Sequence, residues 1–364
     1  MNLANFTFQS FRILLLPFAL LYGGLIWLRN RLYDKKIFQS ATFNLPVICV
    51  GNLSVGGTGK SPMIEYLVRL LKDDYKLATL SRGYKRKTKG YALAGDQTSA
   101  LEIGDEPMQF HLKFPDIAVA VGEERIEAIP QLLQDVPDTE VILLDDAFQH
   151  RAITPGFSVV LTDIGNLFTR DFFLPTGDLR DEKSSYKRAD IIVVTKCKPD
   201  LSEEERMRIL KEINPLAHQR VFFSTIVYVV PYHILRNEEP YFLHKNLEVL
   251  LLTGIANIEP LKKFVLDQTY TYERISYSDH HVFTIDDLKE IKRRFDKLDH
   301  TQKIILTTEK DAVRLIKFRE ELEGLPLYVL PIQHEILFGE EPEFRTQFTT
   351  FIEQFNKTDK TYGK

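Results

Sequence analysis

The stretch Ser54–Ser61, "SVGGTGKS", follows the apolar run "PVICV" at Pro46 to Val50 and leads into a helical pattern. Apolar strand, glycine loop and helix in that order constrain the fold more than any other feature, because together they build a phosphate cradle. The strict pattern G-x-x-x-x-G-K-[ST] opens on glycine, and here that first position is Ser54. What the chemistry requires is present in Gly56, Gly57, Gly59, Lys60 and Ser61. Glycines let successive backbone N–H groups turn inward around phosphate oxygens, and the following helix presents its positive end. Lys60 supplies a point charge for the β and γ phosphates, and Ser61 an oxygen for Mg²⁺. Ser54, Val55, Gly56, Gly57, Thr58, Gly59, Lys60 and Ser61 are the expected nucleotide-binding residues. Ile64, Leu67, Val68 and Leu71 repeat on one helical face, with Pro62 in the first turn, where a missing N–H does no harm. A glycine-rich turn with a surface lysine is the plain alternative; the placement of Lys60 speaks against it.

The compact form "GGTGKS" is similar to the deviant loop of partition-type ATPases, except that those usually carry lysine where this chain has Val55. At 364 residues, with 44% apolar side chains, two domains are expected. The net charge of −4 gives no global basic field for nucleic acid. Cys49 and Cys197 lie in apolar runs and read as reduced core residues, neither a disulfide nor a metal site.

The first 36 residues differ in kind. "ILLLPFALLYGGLIWL", Ile13 to Leu28, carries no charge, and Arg29, Arg31, Lys35 and Lys36 follow it. That run is shorter than the ~20 residues a spanning helix needs, and Pro17, Gly23 and Gly24 weaken it further. Its charge order does not suit a signal peptide. An anchor lying in the cytoplasmic leaflet, held by basic residues, is expected. A buried core helix is the alternative.

From Pro46 to about Val230, "LATLSRG", "DIAVAVG", "EVILLDD", "FSVVLTD" and "ADIIVVTK" read as buried strands. Glu123 to Leu133 and Ser202 to Ile213 read as helices, the latter with a capping box from Ser202 and Glu205. The fold expected is a P-loop NTPase-like, doubly wound and mostly parallel α/β sheet, covered on both faces. Residues 231–246 read as a linker, and the tail after Phe355 as frayed. "LEVLLLTGIA", "KIILTTEK" and a capped helix over Thr284 to Leu298 then predict a smaller α/β domain.

Several segments carry chemistry. Asp145 and Asp146 close the strand "VILLDD", where acids face the loop and hold Mg²⁺ directly or through water. "VVTKCKPD" lacks the acid of a guanine-reading tetrad, since position 198 is lysine, so ATP is favoured over GTP. Asp105, in "GDEP", is placed either to cap a helix or to accept a hydroxyl proton. "SDHH" offers Asp279 and His280 with too few ligands for a metal site. In "SRGYKRKTKG" the lysines read as solvated, while Arg82 and Tyr84 sit closest to the strand end.

In order along the chain stand an apolar helix, "GNLSVGGTGKSP", "SRGY", "GDEP", "DDAFQH", "LPTGDLRD", "SDHH" and "TTEKDAVRL". This series resembles the tetraacyldisaccharide 4′-kinase family of lipid A biosynthesis nearly end to end, including a hydroxyl residue at the loop's first position. The resemblance implies a monotopic kinase on the cytoplasmic face of a Gram-negative inner membrane, using ATP and Mg²⁺. Its implied substrate is an acylated glucosamine disaccharide 1-phosphate, phosphorylated at the 4′-hydroxyl, with no obligate protein partner. Asp105 is then the general base, supported by His280 with Asp279 beside it. Lys60 is catalytic, while Ser61, Asp145 and Asp146 serve the metal. Arg82, Tyr84, Gln149, His150 and Arg180 line phosphates or sugar. The implied partition is a membrane-associated helix at 1–36, a kinase domain at 37–230, the linker, and a small domain at 247–364. Ala147, Asp181 and "GIANIEPL" depart from the family pattern, which leaves the role of Asp181 open. The competing reading is a membrane-associated P-loop ATPase switch without an acceptor. A soluble small-metabolite kinase would leave the N-terminal helix unexplained.

Overall fold

The computed structural model describes residues 12–255 and 257–362, so the first eleven residues of the expected anchor lie outside it. Among the described residues fifteen strands run in chain order: β1 (Val47–Asn52), β2 (Leu77–Ser81), β3 (Ala92–Leu93), β4 (Ala118–Val121), β5 (Val141–Asp145), β6 (Phe157–Asp163), β7 (Ile191–Thr195), β8 (Arg220–Tyr228), β9 (Tyr232–His233), β10 (Arg236–Pro240), β11 (Glu248–Thr253), β12 (Thr271–Ser276), β13 (Lys303–Thr308), β14 (Leu327–Leu330) and β15 (Ile332–Ile336). They make two sheets, β15-β8-β7-β6-β1-β5-β2-β4-β3 and β10-β9-β14-β13-β11-β12. In the first, β8 through β4 are parallel, and the edge strands β15 and β3 run antiparallel.

The central strands are apolar at every position because both faces are covered. On β1, Val47 and Cys49 enter one core while Ile48 and Val50 enter the other. Ile142 and Leu144 of β5 follow the first, Val141 and Leu143 the second. The helix Lys60–Leu71 buries Met63, Ile64, Leu67, Val68 and Leu71 on the second side. The helix Arg125–Asp135 covers the first side, starting two residues later than its sequence pattern. Glu123 is withheld from that helix because its carboxylate takes Arg86 at 2.7 Å and the Gly90 N–H at 2.9 Å.

The chain divides differently from the sequence partition. Residues 231–246 are no simple linker: β9 and β10 extend the edge of the second sheet. The chain also returns. β15 pairs with β8 of the first sheet, and the helix Glu341–Tyr362 lays Phe344, Phe348 and Ile352 into the first sheet's core. Polar charge patterning at the chain's end hid these three inward residues, and the helix runs on past the Phe355 expected to fray.

The N-terminal helix Leu16–Asp34 is not a core helix. Phe18 is 63% and Leu21 66% exposed, whereas Ala19, Gly23 and Asn30 face the protein. Gly23 is required there, since a Cβ would stand 2.6 Å from the Phe173 ring. Asn30 donates to Asp181 and Glu182, each at 2.8 Å. Asp181 also takes Ser185 at 2.9 Å and Arg188 at 3.0 Å, so it ties this helix to the body.

Because the returning helix completes the core under β1, Phe348→Ala is expected to cost ~3–5 kcal/mol. Chemical denaturation should show a lower midpoint at unchanged slope.

Candidate active site

The glycine loop leaves β1 at Asn52, whose Nδ2 donates to Thr58 Oγ1 at 2.8 Å. Thr195 Oγ1 at the end of β7 donates to the Thr58 carbonyl at 2.8 Å. Val55 N–H donates to the Asp178 carbonyl at 2.7 Å, and Ser54 bridges Leu179. Gly56 and Gly59 have φ of +103° and +90°, values that side chains resist.

A histidine that the sequence reading did not single out braces this loop. His334, buried on β15, has Nε2 2.9 Å from the Gly59 carbonyl and Nδ1 3.0 Å from Ser224 Oγ. A carbonyl only accepts, so Nε2 carries the hydrogen and Nδ1 takes the serine proton. Burial pushes the imidazole down to about 4, with the Gly59 contact opposing. Holding that carbonyl outward turns the Lys60 N–H to the opposite side of the planar peptide.

Lys60 Nζ lies 3.7 Å from Asp146 Oδ1. Burial lowers the ammonium's pKa and the Asp146 charge opposes the shift. Arg180 forks onto Asp146, with one Nη at 3.1 Å, and also reaches Asn52 Oδ1. Burial works against the Asp146 charge, but Arg180 and Lys60 outweigh it and hold the carboxyl below its usual range. Asp145 differs. Burial and the neighbouring Asp146 push it up to about 7, and its buried Oδ1 has no hydrogen-bond partner. Ser81 Oγ reaches only Oδ2, at 3.3 Å.

Gln149 Nε2 donates to the Asn52 carbonyl at 2.7 Å, while the Gln149 backbone carbonyl receives Arg29 of the N-terminal helix at 3.0 Å. His150 accepts from the Arg125 N–H at 3.3 Å, and burial with the Arg125 charge lowers its pKa. Arg125, unremarked in the sequence, is fully buried with Nη2 3.3 Å from the Asp145 carbonyl. Arg82 is exposed, and its charge is felt at His150 and Arg125.

The two sheets meet at Asp105, the first residue of the helix Asp105–Lys113. Gly104, not Asp105, is the N-cap, so the carboxylate is free for other work. His280 Nδ1 stands 3.0 Å from Asp105 Oδ2, and Arg314 donates to the same oxygen from Nε at 3.0 Å and Nη2 at 2.6 Å. Asp279 Oδ2 lies 3.7 Å from His280 Nε2, and Tyr84 packs edge-on to that ring. Ion pairs join the helix Glu309–Leu315 to the same Asp105 helix: Lys310 with Glu106 at 3.1 Å, and Glu309 with Lys113. Lys113 also meets buried Glu65 of the loop helix; burial and Glu65 push Glu309 up to about 7. Glu106 acts electrostatically on both Lys60 and Asp145, linking the phosphate cradle to Asp105.

The family model described as tetraacyldisaccharide-1-P 4′-kinase matches residues 11–353. The chain belongs to the tetraacyldisaccharide 4′-kinase family. A Bacteroides thetaiotaomicron relative named tetraacyldisaccharide 4′-kinase is 43% identical over 93% of each chain. One of the same name from Flavobacterium johnsoniae is 45% identical over 89% of this chain and 94% of its own. A solved family structure from Aquifex aeolicus, described as in complex with ATP, superposes with a TM-score of 0.72 at 27% identity, covering 94% of this chain and 99% of that one. The family is that of an ATP-binding phosphotransferase of lipid A biosynthesis.

If His334 sets the Gly59–Lys60 peptide, His334→Ala should weaken ATP and ADP binding several-fold and leave adenosine binding unchanged, as calorimetry would register; His334→Asn should recover part of the loss. The imidazole's folded pKa of about 4 is below its unfolded value, so its contribution is present above about 6.5 and lost as pH falls toward 4. Melting temperature should therefore drop less over that interval in His334→Asn than in the wild type.

Proposed function

We propose that this chain transfers the γ-phosphoryl group of ATP to the 4′-hydroxyl of an acylated glucosamine disaccharide 1-phosphate, in line, with Asp105 as general base. The observation that carries this reading is the Asp105–His280 contact, because it pairs a carboxylate from the first sheet's layer with an imidazole from the second's. A switch ATPase activates water and has no need of such a pair. Asp105 takes the acceptor's proton as its oxygen attacks phosphorus, and His280 steadies the carboxyl that results. Lys60 and Arg180 bear on the phosphate oxygens, whose charge shifts toward the leaving group. Arg82, Tyr84, Gln149 and His150 line the acceptor's path, with Asp279 orienting His280.

Ser61, Asp145 and Asp146 would hold Mg²⁺, and the partnerless Asp145 Oδ1 fits that use. Among the described residues no group of three or more His, Cys, Asp or Glu could hold a metal unaided, which suits an ion that keeps waters and phosphate oxygens as ligands. Bound there, Mg²⁺ would neutralise charge on the β and γ phosphates.

No described helix is long and apolar enough to cross a membrane. Ile13 and Leu14 ahead of the N-terminal helix, and Phe18, Leu20, Leu21, Leu25 and Trp27 on it, are exposed instead, a surface that supports monotopic seating in the cytoplasmic leaflet. Its inner face reaches Gln149, so the membrane contact and the acceptor's path adjoin.

Transfer of label from γ-labelled ATP to lipid A disaccharide 1-phosphate, beside a no-lipid control, tests the assignment. Lys60→Ala should lower transfer ~10²–10³-fold. Asp105→Ala and His280→Ala should each lower turnover more than ATP affinity, and the double variant should be little worse than the poorer single. Label appearing only as inorganic phosphate would refute the kinase reading. Deleting residues 1–30 should shift the protein from floated anionic vesicles to the soluble fraction with nucleotide affinity kept, since the apolar face goes and the remaining Arg31, Lys35 and Lys36, worth roughly 1 kcal/mol each, would not hold the protein alone.

A further inference from the structure

Arg314 was not among the residues that the sequence pointed to, yet it makes the most direct contact with the base. Three donors converge on one oxygen: Arg314 Nε, Arg314 Nη2 and His280 Nδ1 all meet Asp105 Oδ2. Among the described residues no hydrogen bond reaches Oδ1. Arg314 is itself braced, its Nη1 standing 3.5 Å from Asp311 Oδ1. Asp311 is wholly buried and fastened by the Gly254 N–H at 3.0 Å and Thr308 Oγ1 at 2.8 Å. The guanidinium therefore has a fixed place on the second sheet's helix, and it reaches Asp105 only when the two sheets are together.

We propose that Arg314 is the positioning residue of the transfer site, presenting Asp105 Oδ1 to the acceptor hydroxyl and making that presentation depend on closure of the two lobes. The inference rests on Asp105 being the base. Two N–H groups in one rigid plane fix the carboxylate's rotation, which a single ammonium cannot do. His280 Nδ1 is also 2.9 Å from Arg314 Nη2. A ring nitrogen has one in-plane site, so Nδ1 either donates to Asp105 or accepts from Arg314. With Arg314 committed to Oδ2, Nδ1–H donates to the carboxylate, and Nε2 stands 3.7 Å from Asp279 Oδ2.

Charge follows geometry. Asp105 faces Arg314 with Asp311 behind it, and His280 with Asp279 from the loop after β12; Tyr84 of the loop after β2 packs on that imidazole, and the neighbouring Glu106 is paired with Lys310 of the Arg314 helix. Burial works to raise its carboxyl, but Arg314 first and His280 second hold it below the ordinary range. The oxygen that meets the hydroxyl is thus kept charged.

The test is the pH profile of kcat/KM for lipid A disaccharide 1-phosphate with saturating Mg-ATP, run on wild type, R314Q, R314K and D105N. R314Q should lower kcat ~10²-fold with KM for ATP nearly unchanged, and the acidic limb should move up by about one pH unit or more. R314K should return the limb toward its original place while kcat stays depressed, because charge is restored without the fork. A kcat loss in R314Q with an unmoved limb would reduce Arg314 to structural support. Should R314Q not fold, R314K decides: wild-type turnover there overturns the positioning role. Near-wild-type turnover in D105N would instead remove the base, and Arg314's role with it.

Discussion

A lysine ammonium drawn out of water at the end of a parallel sheet must be met by carboxylates, and the rest of the site follows from that demand. Lys60 is held by Asp146, and Asp146 in turn by Arg180, which also fastens to Asn52 at the end of β1. Each buried charge is thereby compensated by a neighbour, as low dielectric requires. Asp145 is the group left over. It sits one residue from Asp146, cannot share Arg180, and is driven toward neutrality by burial and by that neighbour's charge. Such a carboxylate is costly unless a cation comes to it, which is why the proposed metal position falls there and not at the better satisfied Asp146 alone.

The same logic explains how much was legible in the sequence. The strands β1, β2, β4, β5, β6 and β7 were readable because a sheet covered on both faces demands unbroken apolar runs, and few helices imitate runs that short. Helix starts were readable where the cap is local. Ser202 accepts from the Glu205 N–H, and Thr284 forms a box with Asp287. The return of β15 and the last helix to the first sheet was not readable. That docking is decided by Phe344, Phe348 and Ile352 finding a gap beside Tyr66 and Phe157, a long-range fit with no local signature.

Site residues divide along the same line. Glycine, lysine and paired acids at a strand end advertise themselves, because a phosphate cradle is built within one strand–loop–helix unit. Arg314 and His334 do not, since each acts across a sequence gap of roughly two hundred residues or more on a group of ordinary type. The one signal for Arg314 was its spacing in "TTEKDAVRL", three residues after Asp311, which puts both on one helical face. For His334 no signal existed: a lone histidine in an antiparallel edge strand is indistinguishable from a structural one until its Nε2 is found on the Gly59 carbonyl. Asp181, whose role the motif left open, is occupied by Asn30, Ser185 and Arg188.

The contact between the sheets sets a row of charge beside a small apolar patch, in which Val313 is buried against Ile103 and Met108. Asp105–Arg314, Glu106–Lys310 and Lys113–Glu309 all join one helix of the first sheet's layer to one helix of the second. An apolar seam would be strong and hard to part, whereas ion pairs of this kind weigh attraction against desolvation and leave a small net preference. A small preference suits an enzyme that must admit a bulky amphiphile and then exclude water from an activated phosphate. Because one of these pairs contains the proposed base itself, parting the lobes would unmake the base's orientation. On the proposed mechanism, parting the lobes would then suppress hydrolysis by geometry, with no separate gate required.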